Sequence, residues 1–246
     1  MFKKNSHLVL KYPDSENIWH YMDFTKFVNL LDTGSLFFCR ADMVEDKWEG
    51  IFPDKIINKF NLNKKSIQSD DGNRYSWYEW QKKETRSHLI NSWHVNAYES
   101  DAMWKLYSSS KQSIAIQSTI RRLKRCFTIA KDIIWIGEVE YIDFKNWEPK
   151  NRFYNIGEPN ILKTFFLKRI GFEHEKEIRA ITHIAYNKHE QDKGTLVNVD
   201  LNELVKMIVI SPTSEDWFFN LVKNVIYKYN YQFALKKSEL GIQPYI

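Results

Sequence analysis

At 246 residues, 43% hydrophobic and 27% charged, the chain has enough apolar side chain for a packed core, which excludes a disordered or fibrous protein. A formal net charge of +5 permits a phosphate-bearing partner without demanding one, and eight glycines and six prolines argue against a loop-dominated chain. Two distant cysteines, Cys39 and Cys126, exclude a Cys-x-x-Cys motif, and no run of about 18 apolar residues predicts a membrane span, so a soluble cytoplasmic protein with reduced thiols is expected.

The opening segment turns charged again at Lys11 and Asp14 and holds no apolar run of signal-peptide length. Ile18–Phe24 reads as a first strand. Thr25 predicts an N-cap for a helix carrying Phe27, Leu30 and Leu31, stopped by Gly34. Ser35–Arg40 is an aromatic-rich second strand, and Ala41–Gly50 is a loop or short helix with four acids and Trp48. Asn58–Gln68 is polar and lysine-rich, and a turn cluster follows at 69–73. Arg74–Lys83 predicts a helix with a dense aromatic group, read either as core or as a stacking surface for bases.

Leu89–Val95 reads as a strand, and Ser100-Asp101 caps a helix holding Met103, Trp104 and Tyr107. Gln112–Gln117 is a further strand. Ser118-Thr119 caps a short basic helix containing Arg121, Arg122, Lys124 and Arg125, either a solvated basic surface or a nucleic-acid contact. Ile133–Ile142 predicts one long strand, residues 145–160 a connection, and Ile161–Arg169 a helix. A polar turn spans 187–194, followed by a short extended piece at 197–201. Val205–Ile210 is a late strand, Ser214–Asp216 caps a last helix through Tyr229, and the tail from Leu240 adds an extended edge.

The densest chemistry lies in Glu173-His174-Glu175-Lys176-Glu177-Ile178-Arg179. If a strand starts near Glu173, period-two alternation puts Glu173, Glu175, Glu177 and Arg179 on one face. Three acids on one face repel one another, and Arg179 neutralises one of them. The stretch is therefore either a solvated edge strand with ion pairs or a carboxylate pair, Glu175 and Glu177, at the mouth of a cleft. His174 and Glu177 have a His-x-x-Glu spacing, but on a strand they face opposite ways, so no metal site is expected. No Gly-x-Gly-x-x-Gly, phosphate loop or Gly-x-Ser-x-Gly elbow is present. Carboxylates without a metal or nucleophilic cysteine suit stabilisation of an oxocarbenium-like centre, as in glycosyl transfer. Strands and helices alternate without regular β-α-β spacing, which predicts a single α+β domain over residues 1–246.

Several motifs together resemble the bacterial family catalogued as domain of unknown function 2971: His20-Tyr21, Leu36–Arg40, Glu45–Gly50, Met103-Trp104-Lys105-Leu106-Tyr107, Glu175-Lys176-Glu177-Ile178-Arg179 and Ile208–Pro212. Lys47 and Trp48 depart from the Pro-Phe usual in that family. More distantly, the pattern is similar to ADP-ribosyltransferases, which implies two small sheets with flanking helices and NAD as co-substrate in the cleft between them. The resemblance implies cofactor contacts from His20, Tyr21, Arg40, Ser92, Trp93, Trp104 and Tyr107. It also implies that Glu177 holds the ribose hydroxyl and stabilises the oxocarbenium ion while Glu175 orients the acceptor. An acceptor of nucleic acid, RNA in particular, or of protein follows, as does a toxin or antiviral defence role with a neutralising partner protein. The alternative is a non-catalytic module binding nucleic acid or protein.

Overall fold

The computed structural model describes residues 8, 10–69, 71–108, 110–148, 154–155, 158–184 and 192–242. The fold is mixed α+β. β1 (Asn17–Asp23) runs straight into α1 (Phe24–Thr33), and Gly34 at φ 59° ends the helix in the left-handed region. Asp23, not Thr25, occupies the N-cap position, and it makes no side-chain capping bond. β2 (Ser35–Arg40) leads to the acidic loop and α2 (Asp54–Phe60). A short hairpin, β3 (Ser66–Gln68) and β4 (Arg74–Ser76), takes the first residues of the predicted aromatic helix. That helix, α3 (Trp77–Ser87), begins only after Ser76, which forms a reciprocal capping box with Glu79. β5 (His88–Val95), α4 (Asp101–Tyr107), β6 (Ser113–Thr119) and α5 (Ile120–Cys126) follow the sequence reading, with Ser100 and Thr119 capping the helices.

The predicted long strand at 133–142 is two strands, β7 (Trp135–Glu138) and β8 (Glu140–Ile142). The chain changes sheets at Val139: its N–H bonds Glu177 O, whereas the N–H of Glu140 bonds Phe166 O. The predicted connection holds a two-residue pair, β9 (Tyr154–Asn155) and β10 (Glu158–Pro159). The predicted helix at 161–169 lasts one turn, α6 (Ile161–Thr164), because Leu167 onward is extended as β11 (Leu167–Arg169), parallel to β8. The chain ends with β12 (Glu177–His183), β13 (Gly194–Asn198), α7 (Leu201–Leu204), β14 (Met207–Ile210), α8 (Asp216–Lys228) and β15 (Leu235–Lys237). Residues 187–191 of the expected polar turn, and 243–246 of the expected extended tail, lie outside the described residues.

β5 organises the main sheet. One edge pairs with all of β12, and β7 lies beyond β12. The other edge is shared: its first residues pair with β2, its last with β1. β13 extends the β2 side, and β6, β14 and β15 extend the β1 side, so the sheet divides at β5. Side chains bridge the divide. His20 Nδ1–H donates to Ser92 O at 2.9 Å, and Asn91 Nδ2 donates to Phe37 O at 3.0 Å. Both carbonyls lie where ladder partners run out, and unpaired buried carbonyls are costly.

Alternation assigns two faces. Ile18, Met22, Leu89, Trp93, Ile114, Ile116, Ile178 and Ala180 face the larger core, covered by α1, α5, α7 and α8. Trp19, Tyr21, Ala115 and Val209 face the other way beneath Met103 and Trp104 of α4. Ile90 and Ile181 meet Phe165 and Phe166 on that second face. Burying side chains of this size contributes roughly 1.5–3 kcal/mol each, so both faces are covered firmly.

Candidate active site

Glu177 and Arg179 leave β12 on the second face. Register sets His94 of β5 opposite Glu177, Ser92 opposite Arg179, and Trp19 of β1 opposite His94. Glu175 does not share the strand. It ends a 3-10 turn over Ile170–Glu175, and Lys176, at φ 43°, turns the chain before the strand starts. The expected common strand face for Glu173, Glu175 and Glu177 is thereby corrected. The turn leaves Glu173 in solvent and folds Glu175 inward, which avoids a file of three like charges.

The two carboxylates still meet, through a lysine. Lys168 of β11 donates to Glu177 Oε1 at 2.7 Å and to Glu175 Oε2 at 2.9 Å. Arg179 grips Glu177 with Nε at 2.8 Å and Nη2 at 3.1 Å, and donates through Nη1 to Phe165 O at 2.8 Å. Glu49, from the acidic loop, lies 2.9 Å from Arg179 and 3.5 Å from Lys168. Tyr107 of α4 donates its hydroxyl to Glu175 Oε2 at 2.7 Å, while the Glu177 N–H donates to Tyr141 Oη at 2.8 Å. The row is nearly dry: Glu177 is 4% exposed and Arg179 1%. Gly50 admits this packing. At φ +79° it is left-handed, and a Cβ there would overlap the Phe165 ring.

Burial alone would raise the pKa of Glu177, but Arg179 and Lys168 outweigh it and hold the carboxyl well below the usual range. Arg179 is pulled up in turn, against its own burial, by Glu177 and Glu49. Glu49 goes the other way: burial, reinforced by Glu177, raises it despite Arg179. Three carboxylates against two cations leave one negative charge in excess, and Glu49, whose Oε2 has no partner, is where a proton is best held. Burial also lowers His94, whose Nδ1–H donates to Glu175 O at 2.6 Å; its Nε2 is buried without a partner. Burial and the Glu175 charge keep Tyr107 protonated.

Acceptor counting separates the two glutamates. A carboxylate offers about four lone-pair positions. Glu177 uses three, one for Lys168 and two for Arg179. Glu175 uses Oε2 alone, and among the described residues nothing donates to its Oε1.

The other residues expected at the site divide between the faces. Tyr21, Ser92, Trp104 and Tyr107 belong to the carboxylate side: Tyr21 meets Trp104 edge-on at 5.0 Å, and Tyr107 follows on the same helix. His20 and Trp93 do not. They pack together at 4.9 Å on the opposite face, as single-residue steps along β1 and β5 require. Arg40 is in register with Leu89 at the end of β2, gripped by Asp42 at 2.9 and 2.7 Å and bonded to Asp192 O at 3.1 Å. The basic helix also lies on the opposite face, where Ile120, Leu123 and Cys126 join the larger core. Arg122 bonds Val205 O at 3.2 Å, Lys124 pairs with Asp14 at 2.6 Å and Arg125 with Glu203 at 3.5 Å, so three of the four cations have partners within the fold.

Sequence reasoning missed Glu49, His94, Tyr141 and Lys168. Lys168 carried a weak signal: with Arg169 it closes the apolar run Phe165-Phe166-Leu167, where a charge drawn into the core needs a partner. The acidic loop marked Glu49 only as one acid among four.

No family model matches the chain, and no curated protein matches it. Among solved structures it is similar to Thermus sp. 2.9 DarT in complex with ADP-ribosylated ssDNA, at 7% identity and TM-score 0.43, covering 94% of this chain and 98% of that one. The same protein in complex with NAD+ matches at 6% identity and TM-score 0.42, covering 95% and 100%. Its complex with carba-NAD+ matches at 7% and 0.40, covering 93% and 97%. At such distance the likeness is one of chain path, and the chemistry has to be read from this chain's own side chains. Among the described residues no helix is long and apolar enough to cross a membrane.

Proposed function

We propose that the chain transfers ADP-ribose from NAD to a nucleic-acid acceptor, with the Glu175–Lys168–Glu177–Arg179 row as its reacting face. One observation carries the reading. Three stretches remote in sequence, 45–50, 103–107 and 175–179, meet in one dry row in which Glu175 keeps an oxygen uncommitted. A buried ion network built only for rigidity has no need of an open acceptor.

The residues present fit such a co-substrate. Trp19, Tyr21 and Trp104 are buried against one another on this face and form its apolar floor, so contact with the co-substrate falls to the polar groups around the row. The buried, unpartnered Nε2 of His94 can accept from a hydroxyl or amide. Bound NAD supplies the glycosidic bond to nicotinamide. Lys168 and Arg179 keep Glu177 charged and fixed, and its fourth acceptor position suits a ribose hydroxyl. Tyr107 and Lys168 orient Glu175, whose open oxygen faces the positive charge that builds as the bond breaks. This differs from the assignment expected from resemblance, because the charge of Glu177 is already matched by two cations. Nucleic acid as acceptor is supported by exposed Lys176 and His174 and half-exposed Arg169 at the rim. The basic helix α5 has no part in it.

Two measurements test the reading. Millimolar NAD should raise the melting temperature, since a ligand for the native state alone stabilises it. Labelled NAD incubated with single-stranded DNA, RNA and protein should leave label on nucleic acid. No thermal shift and no label on any acceptor would leave the row as a structural frame.

A further inference from the structure

We infer a second site, for a divalent transition metal of the zinc class, at Glu84, His88 and His183. It lies at the opposite ends of β5 and β12 from His94 and Glu177, and nothing in the proposed transfer uses it. One ligand atom from each residue lies within 4.8 Å of the other two. His88 and His183 are directly opposed in antiparallel register, with ring centroids 4.9 Å apart. Glu84 stands four residues before His88, in the last turn of α3. A cross-strand histidine pair and a carboxylate one helical turn away are three converging donors of the type zinc takes, leaving a fourth position for water.

His88 is fixed as a metal-binding ring is fixed. It stacks on Phe165 at 4.2 Å, and its Nδ1–H donates to Glu84 O at 2.9 Å, which leaves the Nε2 lone pair for a ligand. Donors around zinc stand roughly 3.3–3.5 Å apart, given bonds of about 2.0–2.1 Å. His183 is exposed at the strand end, so rotation of its side chain can close the remaining gap and admits the ion from solvent. The sequence hid the site, because 95 positions separate His88 from His183 and only the β5–β12 register joins them.

The test uses the untagged full chain, stripped with a chelator. Adding Co2+ should produce the visible absorption of a low-coordinate site, and one equivalent of Zn2+ should abolish it. Elemental analysis after gel filtration should find one zinc per chain, and zinc should raise the melting temperature reversibly. His183→Ala and Glu84→Gln should each weaken zinc binding at least tenfold. His88→Ala would open a hole against Phe165, so it is not the deciding variant. Substoichiometric zinc, or wild-type affinity in both His183→Ala and Glu84→Gln, would overturn the assignment.

Discussion

Glu175→Gln and Glu177→Gln should separate stability from chemistry, and the contacts set the sizes. Glu177 accepts three charge-assisted hydrogen bonds, at 2.7, 2.8 and 3.1 Å. A glutamine there keeps one acceptor oxygen and turns an amide N–H2 toward a cation that only donates. Breaking one side of a buried pair costs about 3–5 kcal/mol. The loss should fall at the lower end, because Arg179 keeps Glu49 and Phe165 O, and Lys168 keeps Glu175. Glu175→Gln retains an oxygen for Tyr107 and loses only the charge facing Lys168, a cost of about 1–2 kcal/mol. Domains are typically stable by about 5–15 kcal/mol, so both variants should fold. Urea midpoints at unchanged slope report the stability order, and nicotinamide release reports turnover. If Glu175 faces the developing charge, Glu175→Gln should lower turnover by about 10²–10³ despite its smaller stability cost. A folded Glu175→Gln protein turning over NAD at the wild-type rate would refute the assignment.

Arg179→Met should cost about 3–5 kcal/mol, because it leaves Glu177 and Glu49 facing Lys168 alone and Phe165 O without its donor. The double variant with Glu177→Gln should lose less than the sum, which a double-mutant cycle in urea measures. Gly50→Ala places a Cβ against Phe165 at positive φ and should destabilise by at least about 1–3 kcal/mol by the same measurement. Burial lowers His20 to about 4, so below its unfolded value of about 6.5 the unfolded chain binds a proton that the native ring refuses. Its contribution is therefore complete above pH 6.5 and is lost as pH falls to about 4, at most roughly 3 kcal/mol. His20→Gln should flatten the stability–pH slope in that window by close to one proton.

Most elements could be read where local chemistry decides alone. Ser100 and Thr119 sit before their helices with free backbone donors to accept from, and Gly34 takes the left-handed conformation that ends α1. Reading failed where partners from elsewhere decide. Ile133–Ile142 is apolar enough for one strand, yet Val139 and Glu140 bond to different neighbours, 38 and 26 residues away, so the strand is cut between them. Phe165-Phe166-Leu167 fits a helix by composition, but the chain turns at the two phenylalanines and Leu167 pairs with Glu140 of β8. Apolar runs of this length do not distinguish helix from buried strand.

The candidate site was half visible for a related reason. Period two gave Glu177 and Arg179 a shared face correctly, because both lie on one strand. The same rule, extended back to Glu173, failed at Lys176, where one left-handed residue resets the alternation. It also assigns His20 and Tyr21 to opposite faces, so no cleft on one side of the sheet holds both, and Tyr21 is the one beside α4. Glu49, Lys168 and Tyr107 come from a loop, a short parallel strand and a helix, and no spacing rule links them. The stretch read as a file of acids belongs to a row in which acids and cations alternate, Glu175, Lys168, Glu177, Arg179 and Glu49, assembled from three parts of the chain. Alternation makes the row stable enough to bury, and two carboxylate oxygens in it, Oε1 of Glu175 and Oε2 of Glu49, take no donor among the described residues. On the function proposed above, the chemistry depends on Glu175 more than on Glu177, the reverse of what the resemblance to ADP-ribosyltransferases implied.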